Sequence, residues 1–590
     1  MKHSINIIGR VGKGIIIAVL FTACSENFFS TPPLGTASQV QMQNPEGIDK
    51  LLIGAYSLLD GVGASTDGWT GRNEGRASAV TNWLIGDVAS DDAYKGSTQS
   101  DLPEMNAFER NSILPTNNFV PDKWIALYDG ISRSNEVLRT IANTEGLDPD
   151  FVSSKTAEAR FLRGYYLFEL RKIYYRVPII DETVFDTRVP NDQEAWPFIE
   201  ADLQFAADNL PVTQAEVGRA NAWAAKAFLA KCYLFQQKFV EAKTLLDDII
   251  ANGVTSGGLK YGLNDCYYDN FNIATKNSKE SVFAVQMSVN DGSGGPLNAN
   301  YGEHLNFPLV GPGQCCGFFQ PSQNLVNAFK TSADGFPLFD SFNDSDLKND
   351  EGIRSSEPFE PDGETPLDPR LDHTVGRRGI AYLDWGPHGG ETWVNPAGDG
   401  GPYSPKKRVY RKEEQGTQST TTGWAGGPNA NNYTVIRFAD VLLWAAECEA
   451  ELGDLEKARA YVNQVRNRAK NGCYVKKLDD NGADTDAPAA NYHIEPYTAS
   501  WPSKDYAMQA IRFERRLELA MEGHRFYDLV RWEVADQVLN SYFLTEKEKR
   551  TYLNGASFTR GKSEYLPVPQ TEIINSSIGG IPTLTQNPGY

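Results

Sequence analysis

The residues in this chain that could do covalent or metal chemistry lack the spacing such chemistry needs. His524 is one of six scattered histidines, and no HExxH, HxH or Cys–His arrangement accompanies it. Its expected role is a packed or hydrogen-bonded ring. No GxSxG elbow and no GxxxxGK[ST] phosphate loop occurs, which removes the usual frames for nucleophilic and phosphoryl chemistry. Carboxylates are so numerous that counting singles out no glycosidase pair. Asp340, Asp344, Asp346, Asp350 and Glu351 form an acidic stretch, but without the glycine-centred order of an EF-hand loop, so a solvated loop is expected there rather than a calcium site. No catalytic residue, metal set or cofactor is expected. A ligand held without chemistry needs flat apolar faces beside donors and acceptors. Aromatics in loops are the candidates: Trp69 and Tyr94, with Asp91, Asp92, Lys95 and Asp101 nearby; Tyr301, His304, Phe307, Phe318 and Phe319; and Trp385, Trp393 and Trp424 in glycine-rich segments. The plainer role for each is to anchor its loop by burial, and Trp83, within Trp83-Leu84-Ile85, is expected in the core.

The cysteines divide by context. Lys2, Arg10 and Lys13 precede the apolar run from Ile15 to Phe21, which is too short to span a bilayer and has signal-peptide order. Thr22-Ala23-Cys24 follows, as in a bacterial lipobox, with Phe21 where leucine is usual. Residues 1–23 are expected to be removed and Cys24 acylated, so that the membrane is reached through a lipid. Cys232, Cys266, Cys315, Cys316, Cys448 and Cys473 remain, with no CxxC pair, which opposes a zinc ribbon or thioredoxin-type site. Cys232 and Cys448 lie on apolar helix faces and are expected as buried thiols. Adjacent Cys315 and Cys316 are compatible with a vicinal disulfide or with two packed thiols. The formal charge of −20 opposes nucleic-acid binding and attachment to anionic lipid through a basic patch.

Helices must position these loops. After a polar, proline-containing tether over 24–44, residues 45–252 read as a helical region interrupted by a loop-rich stretch at 61–120. Helices are expected near 45–60, 121–143, 156–175 and 194–210 from their apolar stripes. Over 219–252, Leu229, Ala230, Tyr233, Phe239, Ala242, Leu246 and Ile249 match a tetratricopeptide helix pair, in which small residues admit the partner helix and large ones fill the groove. A second unit at 434–470 repeats the pattern with Leu442, Ala445, Ala446, Gly453, Leu455, Ala458, Val462 and Val465, but puts Glu449 in the usual tyrosine place. One pair cannot bury its apolar face alone, so further irregular pairs are needed. Residues 253–433, rich in Gly, Pro, Asn and Asp, are too long for one loop and read as an inserted irregular subdomain. Residues 434–590 return to helix. The fold class is mainly α.

Several segments in this order resemble the SusD/RagB family of Bacteroidetes nutrient-uptake lipoproteins. They are Ala157-Glu158-Ala159-Arg160-Phe161-Leu162-Arg163-Gly164-Tyr165-Tyr166, Leu367-Asp368-Pro369-Arg370-Leu371, Ile436-Arg437-Phe438-Ala439-Asp440-Val441-Leu442-Leu443, the run from Phe513 to Leu529, Tyr565-Leu566-Pro567-Val568-Pro569 and Asn587-Pro588-Gly589-Tyr590. The resemblance implies about four tetratricopeptide-like helix pairs, a variable ligand-binding half, surface exposure on the outer membrane, and a position over a SusC-like TonB-dependent transporter. It implies a glycan ligand held without catalysis; a peptide ligand within the same family, or a tetratricopeptide scaffold that binds only protein, are the alternatives. The charged motif residues Glu514, Arg515, Arg516, Glu518 and Glu522 are expected to form ion pairs rather than to touch ligand.

Overall fold

The structure, a computed structural model, describes residues 39–61, 82–293, 298–420 and 426–590. Cys24, the tether up to residue 38, Trp69 and Trp424 lie outside the described residues. Local sequence sets where the helices begin. Asn44 accepts from Gly47 N at 3.0 Å to start α1 (Pro45–Tyr56). After α2 (Val120–Ala142), Asp148 accepts from the Asp150 and Phe151 amides and starts α3 (Pro149–Tyr174). That start precedes the expected one at 156, because the first turns of α3 are only half-buried and carry no apolar stripe. There follow α4 (Trp196–Asn209), α5 (Ala222–Phe235), capped by Asn221, and α6 (Phe239–Asn252). Each of α2 to α6 packs on the next.

The stack continues across a gap of almost two hundred residues. Helix α7 (Phe438–Leu452) packs on α6, α8 (Leu455–Asn471) on α7, and α9 (Lys504–Glu518) on both α7 and α8. Gly453, at φ +98°, takes the left-handed conformation that ends α7, and Asp454 then caps α8 through Lys457 N. Leu229, Ala230, Ala242, Leu246 and Ile249 are buried, as are Leu442, Ala445, Ala446, Ala458, Val462 and Val465. The molecule is mainly helical with a tetratricopeptide-like stack. Glu449, the departure from the repeat pattern, is buried between two lysines: Lys243 of α6 at 2.9 Å and Lys457 of α8 at 2.6 Å. It pins the junction where the chain returns to the stack.

Four short strands tie the irregular segment to the helices. β1 (Ala93–Gly96), β2 (Ser281–Val285), β3 (Phe318–Pro321) and β4 (Tyr433–Arg437) form two antiparallel pairs, β1 with β3 and β2 with β4. The second pair closes residues 253–437 at their base, since β4 runs directly into α7. A disulfide between Cys266 and Cys473, whose Cα atoms are 5.0 Å apart, adds a covalent clasp from this segment to the end of α8. Cys232 and Cys448 are buried free thiols, as expected. A small second core of Phe307, Tyr382, Trp393, Val409 and Tyr410 holds the loops of the inserted segment.

The charged motifs converge on one buried ionic hub. Arg370 contacts Asp368 at 2.6 Å, Glu514 at 2.7 Å and Glu518 at 2.8 Å. Arg437 contacts Glu280 at 2.9 Å, Glu522 at 3.0 Å and also Glu518; Arg468 reaches Glu280 and Glu518 as well. Lys407 closes on Glu522 at 2.7 Å, and Arg466 on Glu514 at 2.8 Å. Burial alone would raise the Glu518 carboxyl, but the guanidiniums of Arg468, Arg437 and Arg370 hold it well below the usual carboxylate range. Segments 367–371, 436–443 and 513–529, distant in sequence, are thereby locked together, and their charges are structural.

Candidate functional site

The loop aromatics chosen from the sequence are, for the most part, anchors. Tyr94 is fully buried, its hydroxyl bonded to Glu546, and Arg550 lies over its ring at 5.0 Å. Phe318 and Phe319 are buried against Trp83, with ring centroids 6.4 and 5.7 Å away. Trp393 is 7% exposed and wedged against Tyr382 and His388 under Gly311. These four rings offer no face to a ligand, which corrects the expectation for them: a loop without secondary structure still needs an apolar root, and the largest side chains supply it. Trp385 is half-buried, its indole donating to Tyr410 O at 3.1 Å, and Tyr301 is half-buried and stacked on His304 at 4.3 Å. The polar neighbours of Tyr94 are equally engaged. Asp91 and Asp92 pair with Arg516 and Asp91 also with Arg525, while Lys95 donates to the carbonyls of Thr98 and Asp101.

Above these roots, three loops meet. Ser97 N donates to Gly317 O at 2.7 Å, and Asn395 Nδ2 donates to Cys316 O at 3.2 Å and Ser97 Oγ at 3.4 Å. Gly313 N donates to the Tyr410 hydroxyl oxygen at 2.9 Å, and its carbonyl accepts from Gly426 N at 3.1 Å. Gly96 (φ +76°) permits the closest approach, because a Cβ there would lie 2.3 Å from Gly317 O. The resulting ledge carries Leu309 (36% exposed), Val310 (45%), exposed Gln314 and Pro396, and the half-exposed Cys315–Cys316 pair, which is disulfide-bonded. Its surface is apolar with amide groups at its edge. No aromatic stripe or motif in the sequence marked Leu309, Val310 or Gln314; only the paired cysteines stood out.

A separate groove of about 480 Å³ lies between α2, residues 178–188 and the C-terminal segment, lined by Trp124, Tyr128, Val184 and Phe185 among others. Four of its larger polar side chains are already used. The Tyr128 hydroxyl donates to Pro178 O, Asn135 Nδ2 to Ile180 O, and Arg139 to the carbonyls of Glu182 and Val184. Arg188 is paired with Asp186. Around it stand exposed apolar residues: Phe185 at 82%, with Ile574, Ile578 and Ile581 on the segment that forms one wall. Sugars need open donors and acceptors; this groove suits the apolar side chains of a protein.

The remaining polar candidates are accounted for by pairing. Asp346 binds Lys549 at 2.8 Å, Glu351 binds Arg550 at 2.6 Å and Asp340 accepts from Gln509, while Asp340, Asp344, Asp346 and Glu351 all stay exposed, so the acidic stretch lies at the surface and is spread over separate protein partners. Among the described residues no group of three His, Cys, Asp or Glu side chains is placed to hold a metal ion. His524 lines a small cavity of about 20 Å³ beside Lys172 and Lys231, and its pKa is driven well below the ordinary value by burial and by Lys231, which leaves it neutral. Among the described residues no helix is long and apolar enough to cross a membrane.

A tetratricopeptide-like helical scaffold that carries irregular loops on a rigid base is the class of architecture that the fold defines. Comparison with known families makes this specific. The SusD family model matches residues 279–590, and a model described as "Starch-binding associating with outer membrane" matches residues 36–234; the chain belongs to the SusD family. It is similar to SusD-like protein P2 of Formosa agariphila, 23% identical over 98% of each chain. It is also similar to a SusD-like protein of Bacteroides ovatus, 26% identical over 46% of this chain and 48% of that one. Among solved structures, a laminarin-binding SusD-like protein superposes with TM-score 0.62 at 24% identity, covering 92% of this chain and 99% of that one. Surface glycan-binding protein A of Bacteroides thetaiotaomicron, in complex with laminarihexaose, gives 0.64 at 21% identity, again over 92% and 99%.

Proposed function

We propose that the protein is a non-catalytic binding lipoprotein of the outer membrane. It captures an oligosaccharide and delivers it to a SusC-like TonB-dependent transporter. The observation that carries this reading is the ledge: apolar surface edged by amides, on loops whose roots are buried and whose backbones are fixed to one another. Such a surface is preorganised, so little ordering entropy opposes ligand capture. Membership of the SusD family and the laminarin-binding relatives support a glycan as the ligand. The groove beside Phe185 is the surface assigned to the transporter, since apolar side chains stand exposed around it and Tyr128, Asn135, Arg139 and Arg188 are already bonded within the chain. Cys24 supplies the anchor on this reading; palmitate labelling of a Cys24→Ser variant tests it, and retained label would place the anchor elsewhere. The ligand is tested by affinity electrophoresis and calorimetry of the chain from residue 25 against a polysaccharide panel that includes laminarin and starch. Binding of a peptide digest with no binding to any polysaccharide would overturn the glycan assignment.

A further inference from the structure

We infer that the Cys315–Cys316 disulfide is itself a ligand-contacting surface, the apolar plate on which the C–H face of a sugar ring rests. This rests on the glycan reading above and names the part of the ledge that does the holding. The chain's cysteines show how unusual the pair is. The Cys266–Cys473 disulfide joins residues 207 apart in sequence and clasps the inserted segment to α8. That is where a cross-link constrains the unfolded chain. Cys232 and Cys448 are buried free thiols. The Cys315–Cys316 bond has a sequence separation of one. It closes no chain loop, so the loop-closure gain that makes disulfides stabilising is absent.

Its position gives the alternative. Both cysteines are half-exposed, and exposed Leu309, Val310 and Gln314 belong to the same loop. The backbone that carries them is fixed on every side: Gly317 N donates to Phe307 O at 2.9 Å, Ser97 N to Gly317 O, and Asn395 to Cys316 O. Gly313 is held by Tyr410, and Trp393 lies beneath Gly311. A turn held by so many hydrogen bonds does not need a covalent bond to keep its shape. Two linked sulfurs present a polarizable, hydrogen-bond-poor face, the property that loop aromatics would have supplied had Tyr94, Phe318, Phe319 and Trp393 not been spent as roots. The exposed Gln314 amide, immediately before the pair, can then reach ring hydroxyls at the plate's edge.

The test compares wild type, Cys315→Ser/Cys316→Ser and Cys266→Ser/Cys473→Ser for affinity towards the best polysaccharide of the panel and for thermal midpoint. Affinity should fall about three- to tenfold in the first variant with an unchanged midpoint. In the second the midpoint should fall while affinity holds. A second route uses the Cys266→Ser/Cys473→Ser background, where a phosphine reductant can act only on the vicinal pair; reduction, verified by thiol labelling, should weaken binding to the same extent. Unchanged affinity after substitution or reduction, while wild type still binds, overturns the plate and leaves the glycan reading intact. A lowered midpoint in Cys315→Ser/Cys316→Ser would assign the pair a structural role and also overturn it. If wild type binds no polysaccharide, the glycan reading falls and the plate with it.

Discussion

The ionic hub and the loop ledge are both built from residues that in isolation suggest binding, and they use them in opposite ways. At the hub, Arg370, Arg437, Arg468, Glu514 and Glu518 are fully committed to one another and shielded from solvent. At the ledge, the residues that reach solvent are aliphatic or sulfur-bearing with the Gln314 amide beside them, and Tyr94, Phe318, Phe319 and Trp393 lie underneath. Density of charge or of rings therefore marks the parts of this molecule that hold it together. The part free to meet a ligand is the thin layer those groups support.

The largest effect expected from this difference is at the hub. Glu518→Gln leaves Arg370, Arg437 and Arg468 short of a buried counter-charge, and breaking a buried pair by removing one partner costs about 3–5 kcal/mol. Denaturant unfolding should show that loss, and wild-type stability in the variant would mean that the hub is not the fastener described. Trp393→Ala comes next. From sequence alone the substitution looks like a binding variant that leaves the fold intact. With the ring buried on Tyr382 and beneath Gly311, a cost of about 3 kcal/mol is expected instead. A soluble Trp393→Ala protein of unchanged midpoint but lost affinity would move Trp393 from root to contact surface.

The same difference explains what could be read from the sequence. The helical stack was legible because Leu229, Ala242, Leu442, Ala445 and Val462 repeat at helical spacing, a local signal. The hub was legible as motifs but not as a place, since Asp368, Glu280 and Glu518 meet around Arg370 and Arg437 only through the fold. Glu449 looked like a defect in the repeat until Lys243 and Lys457 were seen on either side of it. The ledge was least legible. Whether a loop aromatic is exposed depends on long-range neighbours, such as Glu546 for Tyr94 or Trp83 for Phe319, which no local pattern encodes. Leu309 and Val310, read locally, are ordinary core residues.

Ledge substitutions should separate binding from stability. Leu309→Ser/Val310→Ser removes exposed apolar surface without opening a cavity, so the midpoint in denaturant should correspond to a change within about 0.5 kcal/mol, while affinity for the bound polysaccharide falls several-fold. Loss of stability without loss of affinity would reverse the assignment of the two regions.

A pH dependence should also differ in sign between the two regions. Glu109 is 1% exposed and braces the base of the ledge, accepting from Lys95 N of β1 at 3.1 Å and from the Tyr552 hydroxyl at 2.7 Å. Burial pushes its carboxyl up from 4.5 to about 7, only partly opposed by those hydrogen bonds and by Lys95. Between these values the folded chain holds a proton that the unfolded chain has released, so this contribution to stability is full below about pH 4.5 and is lost as pH rises through about 7. Glu518, depressed by three arginines, has the opposite sign: its contribution is present above the ordinary carboxylate range and is lost as pH falls through its depressed value. Thermal midpoints of wild type and Glu109→Gln should therefore diverge from pH 5 to pH 8, the variant gaining on wild type towards the alkaline end because its amide never ionises. Parallel curves would show that Glu109 titrates alike in both states and that the base of the ledge, like the hub, is fixed in charge across this range.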